Sequence, residues 1–406
     1  MDLRVWQTLA EPKHEELIRL AAATNPKDVA AVERLRKVCA DADLVRCALM
    51  LTEARRKAVA KFGAERAAGL WADPAGVEMA TSLVVADHKA MRFSVLHEFK
   101  EVADLCCGIG GDAMGLARLG GLVAVDRDPV RAWMAERNAG CRVVCADATR
   151  VTLPDGPVHI DPARRDESAG ARVWKSDEFR PSLDAVRSML IDRSWGGAIK
   201  LGPGADIAEI ERVLPGCSIE VISERGRLVQ AVAWCGRQLL AEPGERQATL
   251  IMRTPDEAWS ADSSVTIRGR PGVESLAADG NERYIYEPDD SVERAGLLHV
   301  LCERVGAPML DPRVGLLASD KLIESPWLTA FEVIDSMAWH ERKVKAALDA
   351  LGAGIVEVKT RGKAVDPDVV QRALRGKGDV PITVFVLRFG PAARGMIARR
   401  VEQITG

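Results

Sequence analysis

The sequence is poor in the groups that build metal centres and membrane spans. Its six histidines are scattered singly through 406 residues, and its nine cysteines include no Cys-x-x-Cys pair. Clustered ligands of those types are what a metal site needs, so none is expected. The odd cysteine count and wide spacing also argue against a disulfide scaffold, and the nine read as reduced thiols that behave as buried small hydrophobes. No apolar run approaches the roughly 18 residues of a membrane helix. The opening MDLRVWQTLAEPKHEEL has no long apolar core and carries acids early, so neither a secretory signal nor membrane contact is expected, and the cytoplasm is the expected location. Charge of one sign is lacking too. A formal net charge of -3 argues against a chain that is basic throughout, while a cleft can still focus positive charge locally.

Hydrophobic residues make up 47% of the chain, which at this length suffices for two or three domains with their own cores. Residues 14–62 place apolar side chains at three- and four-residue spacings, which predicts helices with a turn at Asn25-Pro26. Pro74 is placed to open a further helix. From residue 102 the pattern changes to short apolar runs, with strands expected at Val102–Cys107, Gly121–Asp126, Cys141–Ala146, Val158–Asp161 and Ala198–Leu201. Helices such as Val130–Ala139 and Ser182–Arg193 separate them, which implies a mostly parallel open sheet. SIEVISER, LVQAVAWCG and ATLIMRT read as further strands ending near residue 253. The stretch 254–280 is polar and rich in Gly and Pro, and marks a boundary. Beyond it a helix is expected from Asp290 or Ser291. WLTAFEVIDSM, HERKVKAALDALGA, GIVEVKTRG, DPDVVQRALRG and PITVFVLRFG then alternate strand and helix as an α+β domain. The division is therefore 1–95, mainly helical; 96–255, the α/β sheet; and 280–406.

The stretch DLCCGIGGDAMG puts Gly108, Gly110 and Gly111 at a strand-to-helix junction. Glycines there permit a tight turn and let backbone N–H groups approach a ligand. A Gly-x-Gly-Gly run by itself is also compatible with a dinucleotide enzyme. Three acids sharpen it. Asp104 opens the motif, Asp126 ends the second strand where a carboxylate can accept ribose hydroxyls, and Asp147 ends the third, where it can accept from an adenine amine. Each acid alone could equally cap a helix or sit solvated at a strand end.

Taken together, Asp104, Gly108, Gly110, Asp126 and Asp147 resemble the ordered motifs of class I S-adenosylmethionine-dependent methyltransferases. The resemblance implies a Rossmann-like α/β sheet, S-adenosyl-L-methionine as cofactor, and Asp104 near its methionine portion. Cys106, Gly111, Arg127 and Ala148 complete the expected cofactor-binding set. In that family a loop after the fourth strand flanks the transferred methyl. Here it is Asp161-Pro162-Ala163-Arg164-Arg165, with Asp161 as the expected catalytic carboxylate and Arg164 and Lys200 as its expected companions. Arg164 and Arg165 could pair with an acceptor's phosphate, as could Lys200 from the next strand end, or they could form an internal salt bridge with Asp166 or Glu167.

The loop lacks an aromatic at position 164, which leaves the stacking clamp of amino-adenine enzymes unfilled unless Trp174 or Phe179 supplies it. DPAR is also similar to the loop of uridine C5-methyltransferases. Those enzymes need a nucleophilic Cys after the next strand, and IKLGPGAD has none, with Cys217 the nearest downstream. Covalent pyrimidine chemistry is therefore not expected.

The stretches GVEMAT, HIDPARR, AIKLGPG, RYIYEPD and VKTRG together resemble a bacterial methyltransferase group with a DPARR loop and a C-terminal α+β THUMP-like domain. The resemblance implies structured RNA, tRNA or rRNA, as the substrate and partner, with no DNA, metal or membrane. Lys359, Arg361 and Lys363, with Arg165, are the RNA-binding candidates, although such a charge run is also compatible with a solvated face. Two alternatives stay open: methyl transfer to a small molecule or protein, and a non-catalytic RNA-binding or assembly factor.

Overall fold

The computed structural model describes the chain apart from residues 26, 97–98, 165–178, 191–194, 237–243, 258–262, 273–276, 279, 390–391 and 403–406. The chain divides into two compact units. One comprises Met1–Glu220, Val229–Pro243 and Ile251–Ser264, the other Val221–Leu228, Gly244–Leu250 and Val265–Gly406.

The first unit opens with helices α1 (Leu3–Leu9), α2 (Glu15–Ala22), α3 (Val29–Val38), α4 (Ala42–Phe62), α5 (Ala64–Gly69), α6 (Pro74–Met79) and α7 (Leu83–Phe93). Aspartates start four of them: Asp2, Asp28, Asp41 and Asp73 each accept a hydrogen bond from a backbone N–H of the first turn. Those N–H groups have no partner within the helix, so each carboxylate both caps it and favours its dipole. Pro74 opens α6 as its spacing predicts. In α4 the buried residues Leu44, Cys47, Ala48, Leu51, Ala54, Ala58 and Phe62 recur at three and four, the stripe of a helix with one covered face.

After α7 come β1 (Glu101–Leu105), α8 (Gly111–Leu116), β2 (Gly121–Asp126), α9 (Pro129–Ala139), β3 (Arg142–Cys145), β4 (Val158–Ile160), β5 (Ala163–Arg164), β6 (Phe179–Arg180), α10 (Leu183–Leu190), β7 (Gly197–Leu201), α11 (Ile207–Val213), β8 (Ser218–Glu224) and β9 (Arg227–Cys235). Within this unit the strands lie in the order β9-β7-β4-β1-β2-β3. All neighbours are parallel except the β7/β9 pair. The chain leaves β1 for β2 and β3 on one side and returns for β4 and β7 on the other. The gap between β1 and β4 is thus the topological switch point, outside which α/β sheets hold their ligands. Trp6, Leu9, Leu51, Phe62 and Leu70 share one core with Met114 of α8 and Met134 of α9, so the N-terminal helices cover the helices that flank the sheet.

One expectation is corrected here: Cys217 and Cys235 form a disulfide, while the other seven cysteines are free. Antiparallel β8 and β9 form a hairpin that brings residues 18 apart in sequence to a Cα separation of 4.5 Å, a proximity that spacing alone does not show.

The second unit contains β10 (Arg246–Ile251) and β11 (Ser264–Gly269), then β12 (Tyr284–Pro288), α12 (Asp290–Ala295), α13 (Leu298–Val305), β13 (Leu317–Ser319), β14 (Leu328–Ala338), α14 (Glu341–Ala350), β15 (Ala353–Arg361), α15 (Pro367–Leu374), β16 (Val380–Phe389) and β17 (Ala392–Arg400). Six of these strands form a sheet in the order β13-β12-β14-β17-β16-β15. The predicted alternation from β14 to β16 is present. β17 is additional, because in AARGMIARR the side chains of Arg394, Arg399 and Arg400 leave only a short apolar centre, yet it pairs with both β14 and β16. Val344 and Leu348 of α14, with Val370 and Leu374 of α15, pack onto Val356, Val384 and Ile397 of the sheet.

Gly115 lets α8 lie directly on α7. A Cβ at this position would sit 2.6 Å from the carbonyl carbon and oxygen of Ala86. In Gly115→Ala the helix-propensity gain of about 1 kcal/mol opposes an overpacking cost of roughly 1–3 kcal/mol, and the obstructing atoms are backbone. The variant is expected to unfold at lower urea, with an unchanged denaturant slope. A midpoint at or above that of the parent would show that the two helices separate without cost.

Candidate active site

Three of the five residues between β1 and α8 have positive φ. Cys106 has φ 59°, Gly108 56° and Gly110 87°. Gly110 is also closely approached, since a Cβ there would lie 3.1 Å from the Ala135 Cα. At Gly108 a Cβ would meet nothing within 4 Å, so the turn faces open space there. Cys106 is the only side-chain-bearing residue of the three, a conformation that costs about 1–2 kcal/mol outside glycine. Burial, then the carboxylates of Asp126, Asp161 and Asp104, push its thiol up to about 12.

Asp126 ties the end of β2 to this turn. One carboxylate oxygen accepts from Gly108 N at 2.8 Å and the other from Asp128 N at 2.9 Å, while burial raises its pKa. Arg127 is exposed and Ala148 buried. Asp147 is exposed, and its carboxylate accepts from both the backbone N–H and the hydroxyl of Thr149. Those bonds hold its pKa down.

At the end of β4 the Asp161 N–H donates to Leu105 O at 3.1 Å, which brings this residue beside the turn. Its carboxylate accepts from Lys200 Nζ at 2.7 Å, and the same ammonium donates to Met79 O at 3.1 Å. Burial draws the Lys200 pKa down, but the charges of Asp161 and Asp112 outweigh it and the net shift is upward. The backbone of Arg164 pairs with Phe179 in the β5/β6 hairpin. Phe179 is buried at 4% exposure, so it does not supply the stacking face considered for it. The Arg164 side chain, Arg165 and Trp174 lie outside the described residues.

Beneath this rim runs a buried polar cluster that the sequence did not disclose. Asp104 is wholly buried near the end of β1, just before the Gly-rich turn. It is the register partner of His159 across the switch point, and its Oδ1 accepts from His159 Nδ1 at 2.7 Å. His159 Nε2 meets Lys89 Nζ at 3.1 Å, Lys89 pairs with Asp112, and the Thr81 hydroxyl donates to Asp112 at 2.7 Å. Lys89 and His159 are both fully buried. Burial lowers the Lys89 pKa against the pull of Asp112 and raises that of Asp104. Burial would raise Asp112 as well, but Lys89, His159 and Lys200 hold it well below the usual carboxylate range. The signal that could have revealed the cluster is the run Asp87-His88-Lys89 amid apolar residues on α7, and His159 between Val158 and Ile160.

Two proteins of Mycobacterium tuberculosis, from strains CDC 1551 and H37Rv, are each 34% identical to the chain over 322 residues, covering 77% of it and 83% of the relative. Both are described as uncharacterized S-adenosylmethionine-dependent methyltransferases. The chain belongs to the S-adenosylmethionine-dependent methyltransferases. The fold of the methyltransferase is also that of a crystal structure from Porphyromonas gingivalis W83, named as a candidate methyltransferase, with TM-score 0.71, 16% identity and 98% of each chain covered. Residues 328–400 of the methyltransferase match the THUMP domain-like family.

The residues at the switch point suit the methyltransferase's cofactor. Gly108 faces open space, Asp126 and Asp147 are acceptors at successive strand ends, and Asp104 Oδ2 is a buried carboxylate oxygen without a hydrogen-bond partner among the described residues. In the THUMP-like region, Lys359 and Arg361 differ from the expectation of cations open to phosphate. Both point to one carboxylate, Glu287 of the RYIYEPD stretch, at 2.7 and 3.2 Å. Glu287, on β12 of the sheet that also holds β15, sets one negative charge against these two cations, and Glu357 lies 3.4 Å from Lys359. Lys363 is exposed, with φ 51°.

The raised Cys106 pKa has a sign that can be read directly. Thiolate is the reactive form, so in the folded methyltransferase at pH 8 iodoacetamide should label the exposed Cys145 well before Cys106. Labelling of Cys106 should then speed up about tenfold per pH unit until about pH 12. Equal rates at pH 8, measured by peptide mass spectrometry, would contradict the buried, carboxylate-ringed environment described for it.

Proposed function

We propose that this methyltransferase modifies a base nitrogen of structured RNA, tRNA or rRNA. The observation that carries the RNA reading is the THUMP domain-like match over residues 328–400. It is supported by exposed cations in the same unit, Lys343, Lys363, Arg372 and Arg388, which are suited to phosphate contacts. Aromatics are few there, so recognition rests on backbone and shape rather than stacking. We read the DPARR loop as marking the bacterial group named above, with residues 96–255 as the catalytic part and 280–406 as the part that delivers RNA.

S-adenosylmethionine supplies an electrophilic methyl carried on a sulfonium. Asp126 and Asp147 accept hydrogen bonds from its hydroxyl and amine groups, around the turn formed by Cys106, Gly108, Gly110 and Gly111. Asp161, anchored by Lys200 at 2.7 Å, is the carboxylate that orients the acceptor N–H and takes its proton as the new N–C bond forms. Direct transfer of this kind relies on positioning and fixed charge, with no covalent enzyme intermediate.

The test incubates the purified protein with radiolabelled S-adenosylmethionine and RNA from a strain lacking the gene, beside Asp161→Ala. Label is expected in one RNA size class and absent with the variant. Label that appears only in protein or small molecules, or that persists undiminished in Asp161→Ala, would overturn the reading.

A further inference from the structure

With each acid and amine counted in its ordinary ionised form, the formal charges at the switch point do not cancel. Asp104, Asp112 and Asp161 contribute three carboxylates, and Lys89 and Lys200 two ammonium groups, in contacts at or near hydrogen-bond distance. Counted as a neutral ring, His159 adds no charge to this sum; its Nε2 faces Lys89 Nζ and its Nδ1 faces the Asp104 carboxylate. Passing one proton from Lys89 to Nε2 and another from Nδ1 to Asp104 would neutralise both ends. It would leave the same total, a surplus of one negative charge.

That surplus is costly where it stands. An ionised group away from water needs a partner, and among the described residues Asp104 Oδ2 lacks even a hydrogen bond. Asp161 is the member that reaches the rim, with its side chain 35% exposed. Its backbone N–H is bonded to Leu105 O, one residue before the Gly-rich turn. The field of Asp104 and Asp161 reaches that turn, because after burial and Asp126 these two carboxylates are what raise the Cys106 thiol.

We propose that the surplus carboxylate charge of the Asp104–His159–Lys89–Asp112 and Asp161–Lys200 cluster is the counter-charge to the cofactor's sulfonium. It raises affinity for charged S-adenosylmethionine relative to the neutral thioether that remains once the methyl has left. The proposal rests on the methyl-transfer reading of this site and adds a specificity to it: the cluster favours loading of the methyl donor and loosens the spent product.

The measurement is binding, by isothermal titration calorimetry on the full chain, of S-adenosylmethionine and of S-adenosylhomocysteine. The quantity read is the ratio of the two dissociation constants. Asp161→Asn removes one negative charge and is expected to shift the ratio against S-adenosylmethionine by roughly tenfold. Lys200→Met removes one positive charge and is expected to shift it in the opposite direction. Damage to folding or to the shape of the site would weaken both ligands alike and leave the ratio where it was, so opposite shifts are the supporting result. An unchanged ratio in both variants, or a shift of the same sign in both, overturns the proposal while leaving the cofactor reading intact. A parent protein that binds neither ligand overturns both.

Discussion

Lys89 sits on α7, a helix buried from Leu83 to Ala90 without interruption, and its ammonium is held between Asp112 and His159. A lysine so far from water is tolerable only when its charge is answered. Much of the first unit is arranged around that answer. Gly115 and Gly111 bring α8 hard against the chain around α7, with Gly111 leaving only 3.0 Å for a Cβ beside the Thr81 backbone. This is what puts Asp112 within reach of Lys89 and Thr81. The parallel pairing of β1 with β4 sets Asp104 opposite His159, and closes the chain of contacts from the other side. Removing one partner from such a buried pair typically costs about 3–5 kcal/mol, so these elements stand or fall together.

The other face of α7 is secured in the same manner. His88 and Arg92 both reach Glu220, which also accepts from the Trp234 indole at 2.8 Å, and Arg92 lies 4.3 Å over the Trp234 ring. Asp87 pairs with Arg253 and Arg118. Three consecutive polar residues on one buried helix, Asp87, His88 and Lys89, thus reach three separate parts of the unit. Beside this network Asp161 is held by Leu105 O and Lys200, and the Gly-rich turn by Asp126. Preorganised charge of this kind lets a methyltransferase work by orientation.

Asp126, Asp147, Asp161 and the glycines were legible because strand ends recur at a regular spacing and the motifs fall on them. The α+β alternation from β14 to β16 was legible for the same reason, since periodicity is a local property. Lys89, Asp112 and His159 were not. Their contacts join residues 70 apart, as between Lys89 and His159, and local patterns carry no record of such pairings. Lys359 and Arg361 show the reverse error. They look like a free basic run, and only the shared sheet reveals Glu287, 72 residues from Lys359, as their partner. The Cys217–Cys235 disulfide was missed because cysteine spacing does not describe a hairpin.

The amino-acid sequence by itself determined the order of strands and helices, the glycine turn, the acids at the strand ends and the family these imply. All of them depend on residues close together in the chain and on steric rules that hold everywhere. Tertiary structure alone decided which charges are answered and which remain. Asp104 acquired a buried partner in His159, Lys200 became the anchor of Asp161, and two expected RNA-facing cations became the partners of one carboxylate. The reason is physical: the free energy of a charge depends on its distance from water and from other charges, and those distances exist only once the chain has folded.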